Sequence, residues 1–287
     1  KEAFEKLKDQ GLKSLIIDLR GNGGGFLNTA VDLADEYLTE GEEIVYTEGK
    51  SRPRTNYTAT KKGRFETGKL IVLIDDGSAS ASEILAGALQ DNDRATIVGR
   101  RSFGKGLVQE QSEFSDGSAM RLTIARYYTP CGRCIQKPYD NGLEAYYSEE
   151  YERFENGELQ SIDSIKQADS LKYKTVSGRF VYGGGGIVPD VFVPIDTTGR
   201  TKYLAEVIYN GIVNDFAFEY ADKQRSVLKK YTNFETFNKS FTIDESILNQ
   251  FITYADKKGI KRNDAQIAVS KDILKNQLKA LIARNII

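Results

Sequence analysis

The chain has 287 residues, of which 40% are hydrophobic and 28% are charged, a balance typical of a globular protein. Its 40 basic and 41 acidic side chains give a net charge of −1, so the charge predicts neither a nucleic acid nor an anionic membrane surface as a partner. The absence of histidine excludes a Ser-His-Asp triad and any imidazole metal site within this chain.

The first hundred residues alternate between strand-like and helix-like patterns. The predicted strands are 14–20, 42–50, 69–75 and 95–100, and the predicted helices are 2–13, 26–38 and 83–92. Residues 51–68 form a long polar excursion between the second and third predicted strands. This alternation predicts an α/β core with parallel strands.

The pattern changes after residue 107. Two extended segments, 107–114 and 119–128, flank the turn sequence SDGS and predict a β-hairpin. Residues 140–175 are charged and rich in tyrosine without clear periodicity, so we expect a loop or lid there. Residues 178–194 return to extended structure, and the chain from 201 onward is helical in pattern, in roughly four segments. A domain boundary is therefore expected near 197–200.

The serine-rich loop DGSASAS is the first candidate for part of a catalytic site. It follows a buried strand and precedes a helix, so free backbone N–H groups and the positive end of the helix dipole lie at this turn. An oxyanion that forms there would be stabilised before any side chain contributes. The alternative is structural, with Ser80 or Ser82 as the helix N-cap and Glu83 as a first-turn acid.

A second loop, GNGGG at 21–25, also follows a strand. In an α/β sheet, both loops would lie at the carboxyl ends of neighbouring strands, where ligands bind. A phosphate cradle is the competing interpretation, although the spacing matches neither a P-loop nor a dinucleotide-binding fingerprint. Without histidine, a base for a serine would have to be a lysine buried enough to be neutral, and Lys105 lies in the glycine-flanked segment SFGKG.

The two cysteines, Cys131 and Cys134, form a lone CxxC in TPCGRCIQ. A structural zinc site needs four ligands, and a thioredoxin-like site needs a strand before the motif and a helix after it. Because the flanks here are strand-like and loop-like, we expect no catalytic role. A redox pair, a disulfide and two spare thiols all remain open.

Four ordered blocks resemble the C-terminal processing proteases, also called tail-specific proteases. They are LIIDLRGNGGGFL, DDGSASASEILAGALQD, GRRSFGKGLVQ and GGGGIVPDVFVP, and they span about residues 14–194. The resemblance implies a crotonase- and ClpP-like α/β core with a β-hairpin arm and a helical C-terminal part. It also implies a protease catalytic domain over 1–197, with 140–175 as an insertion, followed by a helical region over 198–287.

The site residues follow from this resemblance by position in the motifs. The family uses a Ser-Lys dyad, which matches Ser80 as nucleophile and Lys105 as general base, with Gln109 orienting the lysine. The oxyanion donors match the backbone N–H groups of Ala81 and Gly24. Asp91 matches an acid that the family keeps near the dyad, with either a supporting or a structural role. No cofactor or metal is implied.

Two departures from the family pattern stand out. The first glycine loop usually reads Asn-Pro-Gly-Gly, and Gly23 here replaces the proline. The family's peptide-binding PDZ domain precedes the region where this chain begins, and no such domain is visible. Because the sequence opens at Lys1 without a methionine or a signal peptide, we expect a fragment or a processed form.

The implied function is a serine endopeptidase that forms an acyl-enzyme and cuts protein or peptide substrates near their C-termini. The implied location is the bacterial periplasm or cell envelope. No apolar run in the chain reaches the roughly 18 residues that a membrane span needs. Homo-oligomer formation stays open. Three alternatives also stay open: a non-catalytic binding protein on the same fold, a crotonase-type acyl-CoA enzyme, and a small-molecule Ser-Lys amidase.

Overall fold

The structure, a computed structural model, describes residues 2–61, 63–139, 142–165 and 168–287. It divides into two compact units, Lys1–Ile195 and Asp196–Ile287. Across these described residues, none of the helices combines the length and the apolar character needed to cross a bilayer.

A four-stranded parallel sheet forms the centre of the first unit. Its strands, in spatial order, are β1 (Ser14–Asp18), β4 (Lys69–Ile74), β5 (Thr96–Gly99) and β10 (Val191–Phe192). Ser14 pairs with Lys69, and Ile71 pairs with Thr96. Because these strands run parallel, the segments that follow β1, β4 and β5 leave the sheet at one edge. The predicted α/β class with parallel strands is confirmed.

A second, antiparallel sheet has the order β3 (Arg52–Thr58), β2 (Glu43–Gly49), β7 (Ala119–Tyr128), β6 (Leu107–Glu113). Strands β6 and β7 are the predicted hairpin, and β6 forms one edge of the sheet. Strand β3 lies within the polar excursion at 51–68, where the sequence pattern predicts no strand. All but one of its residues are exposed, so it has no buried face to produce a hydrophobic alternation. A small third sheet pairs β8 (Lys172–Lys174) with β9 (Phe180–Tyr182).

The helices of the first unit are α1 (Glu2–Asp9), α2 (Leu27–Asp35), α3 (Ala81–Asp91) and α4 (Gly142–Glu155), and two short 3-10 turns span Ile162–Ser164 and Asp169–Leu171. Every residue of α3 after Ala81 is buried, so this helix is central to the core. The range 140–175 differs from the loop or lid that we expected, because α4 occupies much of it. Residues 140, 141, 166 and 167 of that range lie outside the described residues.

The second unit is helical, as expected, with more helices than the four segments that the pattern indicates. They are α5 (Lys202–Tyr209), α6 (Ile212–Lys223), α7 (Arg225–Leu228), α8 (Phe234–Ser240), α9 (Glu245–Lys257) and α10 (Asp264–Ile286). Phe251, Leu274 and Leu278 are fully buried in its core. Side-chain caps begin several of these helices; the Asp244 carboxylate, for example, accepts a hydrogen bond from the Ile247 N–H.

Candidate active site

Ser80 has a strained backbone. It is the N-cap residue of α3, with φ 57° and ψ −116°, and among the described non-glycine residues only Asp93 shares a positive φ. Such conformations cost free energy, persist only where the surrounding structure imposes them, and cluster at functional sites. The backbone therefore distinguishes Ser80 from the other serines of its loop.

The neighbouring serines hold the two loops together. The fully buried Ser78 donates its hydroxyl hydrogen bond to the Leu19 carbonyl at 2.7 Å. Ser82 donates to the Asn22 carbonyl at 3.0 Å. Both acceptors belong to the segment that follows β1. The hydroxyls of Ser78 and Ser82 are thus engaged in structure, while Ser80 is half-buried and lines a cleft.

Gly24 lies directly against the backbone of the serine loop. A Cβ atom at this position would lie 2.5 Å from the Ala79 carbonyl oxygen and 2.7 Å from the Ala81 nitrogen, and its φ is +96°. Both the close approach and the positive φ require glycine. The two expected oxyanion donors are therefore adjacent in space.

The two expected donors differ in their present hydrogen bonds. The Gly24 N–H donates to Asn22 Oδ1 at 2.9 Å. The Ala81 N–H, at the first position of α3, has no acceptor among the described residues. Within the described part of the chain, the Ala81 N–H is therefore free to donate to a ligand oxygen, whereas the Gly24 N–H would first have to release the Asn22 side chain. Ala81 lines a neighbouring cavity together with Gly24 rather than the cleft itself.

One open cleft brings together most of the expected site residues. It has a volume of about 690 Å³, and its lining includes Gly24, Ser80, Lys105 and Gln109. Lys105 is half-buried rather than fully enclosed. The cleft therefore contains the proposed nucleophile, the proposed base and its proposed orienting amide.

Glu83 contacts the backbones of both Ser80 and Lys105, a role that the sequence pattern does not predict. Its carboxylate is completely buried. Oxygen Oε2 accepts from the backbone N–H groups of Ser80 and Lys105, both at 2.8 Å. Oxygen Oε1 accepts from the Ser102 hydroxyl at 2.5 Å and the Gly104 N–H at 2.7 Å. One carboxylate oxygen therefore places the backbones of Ser80 and Lys105 side by side.

Burial and hydrogen bonding shift the pKa of the Glu83 carboxyl in opposite directions. Burial raises the pKa of the Glu83 carboxyl above its ordinary value, since it penalises the charged form. The hydrogen bonds from Ser102, Lys105, Gly104 and Ser80 act against that effect. Burial has the larger effect on this pKa, so keeping the Glu83 carboxyl ionised within the network costs free energy.

The segment that leads to Lys105 is also held from its other side. Arg153 of α4 is buried and donates to the backbone carbonyls of Arg101 at 2.7 Å and Ser102 at 3.1 Å. Its guanidinium is oriented by Glu158, which also pairs with the Arg101 side chain at 2.7 Å. Residues 101–105 are thus fixed between α3 and α4.

Asp91 lies at the opposite end of α3 from Ser80. An α-helix rises about 1.5 Å per residue, so the length of α3 separates the two. The fully buried Asp91 carboxylate pairs with the buried Arg133 guanidinium and accepts from the Cys131 N–H at 3.1 Å. Asp91 does not line the cleft. Its contacts favour the structural role over the supporting one.

The cysteines also lie away from the cleft lining. Cys134 forms an isolated antiparallel bridge with Tyr128. Both thiols are free, and burial raises the pKa of each above its ordinary value.

Comparison with known proteins identifies the family. The sequence profile of peptidase family S41 matches residues 1–145, half of the chain. The chain belongs to peptidase family S41. The expected resemblance to C-terminal processing proteases is thereby confirmed. A family of unknown function, DUF8443, matches residues 203–287.

Several S41 relatives carry names that describe C-terminal processing. A carboxyl-terminal-processing protease from Synechocystis is 47% identical over 135 residues, covering 47% of this chain and 31% of the relative. The carboxy-terminal processing protease CtpA of Bacillus subtilis is 28% identical over 277 residues, covering 96% of this chain and 53% of the relative. The chain thus spans about a third to a half of the length of these relatives.

A solved structure of a photosystem II D1 C-terminal processing protease also matches. It is 31% identical in sequence, with a TM-score of 0.47, and the match covers 67% of this chain and 38% of that one.

Proposed function

We propose that this S41 chain is a serine endopeptidase that works through a Ser80–Lys105 dyad. The observation that carries the proposal is the shared acceptor, Glu83 Oε2, to which the backbone N–H groups of both residues donate. The two residues are far apart in sequence, yet both line one cleft, which supports the assignment. The mechanism requires the flexible four-carbon stem of Lys105 to bring its amine to the Ser80 hydroxyl.

The reaction has two halves. In the first, the Lys105 amine accepts the Ser80 hydroxyl proton while Oγ bonds to the carbonyl carbon of the scissile peptide. The resulting oxyanion accepts a hydrogen bond from the Ala81 N–H. When the C–N bond breaks, the leaving amine takes the proton from the Lys105 ammonium, and an ester to Ser80 remains.

In the second half, the Lys105 amine removes a proton from water, and the hydroxide oxygen bonds to the ester carbonyl carbon. The C–O bond to Ser80 breaks, and Oγ recovers its proton from Lys105. The Gln109 amide is neutral, so it can orient the amine without favouring its protonated form. An aspartate or glutamate there would hold the proton on the lysine.

The substrate class comes from the relatives. Those matched above are named for carboxyl-terminal processing, and we infer that this chain likewise cuts protein or peptide substrates near their C-termini. The cell-envelope location that the resemblance implies belongs to the same proposal. Homo-oligomer formation stays open, and the assignment of 1–197 and 198–287 as a protease domain and a helical region stays a prediction.

Digestion of a denatured protein tests the proposal. The chain is incubated with the unfolded substrate, and mass spectrometry maps the cuts, with the Ser80→Ala variant as the matched control. We expect internal cuts near the C-terminus that the variant does not make. Equal products with Ser80→Ala would contradict the assignment of the nucleophile. Turnover of simple amides without any peptide cut would favour the amidase, and acyl-CoA turnover alone would favour the crotonase-type enzyme.

A further inference from the structure

A second pocket adjoins the cleft on its lysine side. It has a volume of about 540 Å³, and its outer wall is formed by Tyr139, Leu143, Tyr146 and Tyr147. Three of these four residues belong to α4. The inner wall is the face of the β6–β7 hairpin. We call this the aromatic pocket.

The aromatic pocket and the cleft are continuous. Lys105, Leu107 and Gln109 line both. The proposed base and its orienting amide therefore form part of the wall of the aromatic pocket. Any group that fills this pocket lies close to the reacting atoms.

The outer wall exposes apolar surface that the fold leaves uncovered. The exposed fractions are 74% for Leu143, 68% for Tyr147 and 43% for Tyr139. Isolated exposed apolar residues are common, but a cluster around a cavity marks a binding surface. Among the described residues that line the pocket, Lys105 is the only charged one. The lining therefore suits an apolar side chain, aliphatic or aromatic.

Helix α4 is fixed to the segment that carries Lys105, so the pocket is preformed. The Phe103 and Tyr146 rings meet edge to face at 6.1 Å. The Lys137 ammonium lies 4.3 Å from the centroid of each of these rings and pairs with Glu149 at 2.6 Å. A preformed pocket loses little conformational entropy when it is filled, so filling it contributes more to affinity.

We propose that the aromatic pocket receives an apolar side chain of the peptide substrate and so sets specificity near the scissile bond. This inference rests on the proposed peptidase function. Tyr146 and Tyr147 lie just beyond residue 145, where the S41 profile ends. Specificity at this position thus depends on α4, which extends past the matched part of the chain.

Peptide binding to the catalytically silent Ser80→Ala chain tests the inference. Two host peptides of serine and glycine carry one test residue, phenylalanine in one and alanine in the other. Burial of the larger side chain should favour the phenylalanine peptide by about tenfold in Kd or more. Adding Leu143→Ala should reduce that preference severalfold. Leu122→Ala is the matched control, because Leu122 is 56% exposed on the hairpin and does not line the pocket.

Three outcomes would overturn the inference: no preference between the peptides, no binding of either peptide, or equal effects of Leu143→Ala and Leu122→Ala. Fluorophosphonate labelling of the unaltered chain reports separately on the proposed nucleophile. Labelling without a peptide preference would contradict the role of the aromatic pocket as a subsite and leave the proposed nucleophile supported. A preference that Leu143→Ala weakens, without labelling, supports the subsite and counts against the peptidase.

Discussion

The substitution Glu83→Gln tests whether one buried carboxylate holds the two halves of the dyad together. The carboxylate accepts hydrogen bonds at both oxygens, but an amide has only one oxygen. If the amide NH2 group faces Ser80 and Lys105, two backbone N–H groups lose their acceptor. If it faces the other way, the Ser102 hydroxyl can rotate to accept, and only the Gly104 N–H is left unpaired. The second arrangement is the less costly one.

The magnitude follows from that arrangement. One buried, unpaired N–H group costs about 1–3 kcal/mol of folding free energy. Gly104 immediately precedes Lys105, so loss of its anchor displaces the base. A shift of about 1 Å at a catalytic group can cost about 100-fold in rate. We therefore expect kcat to fall between about tenfold and 100-fold, with little change in KM.

The pH dependence of stability has a definite sign. Because burial raises the pKa of Glu83 in the folded chain, its contribution to stability is fully present below its ordinary value of 4.5 and declines as pH rises through the folded-state pKa. Glutamine does not titrate. The stability lost in Glu83→Gln should therefore be larger at pH 4 than at pH 7.

The assay combines peptide turnover with urea unfolding at both pH values. Asp91→Asn is the matched control, since Asp91 is equally buried in the same helix and removing its charge breaks a buried ion pair with Arg133. We expect the control to lose stability while the folded fraction keeps its kcat. An unchanged kcat in Glu83→Gln, or an equal fall of kcat in both variants, would refute the positioning role of Glu83.

Three further predictions concern the base, the glycine loop and the thiols. Lys105→Arg should be as inactive as Lys105→Ala in peptide turnover, because a guanidinium keeps its proton; substantial activity in the arginine variant would exclude Lys105 as the base. Gly24→Ala should reduce both activity and thermal stability, because its Cβ would collide with the serine loop, whereas Gly25→Ala, with nothing within 4 Å, should change neither much. Cys131 and Cys134 should react with iodoacetamide more slowly near pH 8 than in the urea-unfolded chain, since burial raises both thiol pKa values and only the thiolate reacts; equal rates would contradict their burial.

Much of the core was predictable because local signals and the fold agree. Strand β4 is a short apolar run, α3 follows it directly, and a loop of small residues joins them. Parallel strands bring such loops to one edge of the sheet, so a site containing Ser80 and the glycine loop could be expected from the order of elements alone.

The role of Glu83 could not be predicted in the same way. In the sequence it is an acidic residue in the first turn of a helix, where such residues are common for their interaction with the helix dipole. Its role depends on the packing of residues 102–105 against α3. This is a long-range tertiary contact, and no periodic sequence pattern indicates it.

Helix α4 escaped prediction for a related reason. Its anchoring side chains include the charged Arg153, which is buried through its ion pair with Glu158 rather than through an apolar stripe. Leu143 and Tyr147, by contrast, are apolar and exposed. A helix that buries charge and exposes apolar groups does not show the hydrophobic periodicity on which sequence interpretation depends.

The most direct test of the account is the site of covalent labelling by a fluorophosphonate. The labelled chain is digested with trypsin, and the adduct is located by tandem mass spectrometry. We expect one adduct on Ser80. It should be absent in Ser80→Ala and retained in Ser78→Ala and Ser82→Ala, because the native hydroxyls of Ser78 and Ser82 donate to backbone carbonyls. An adduct on a different serine, or no adduct on the folded chain, would contradict the account.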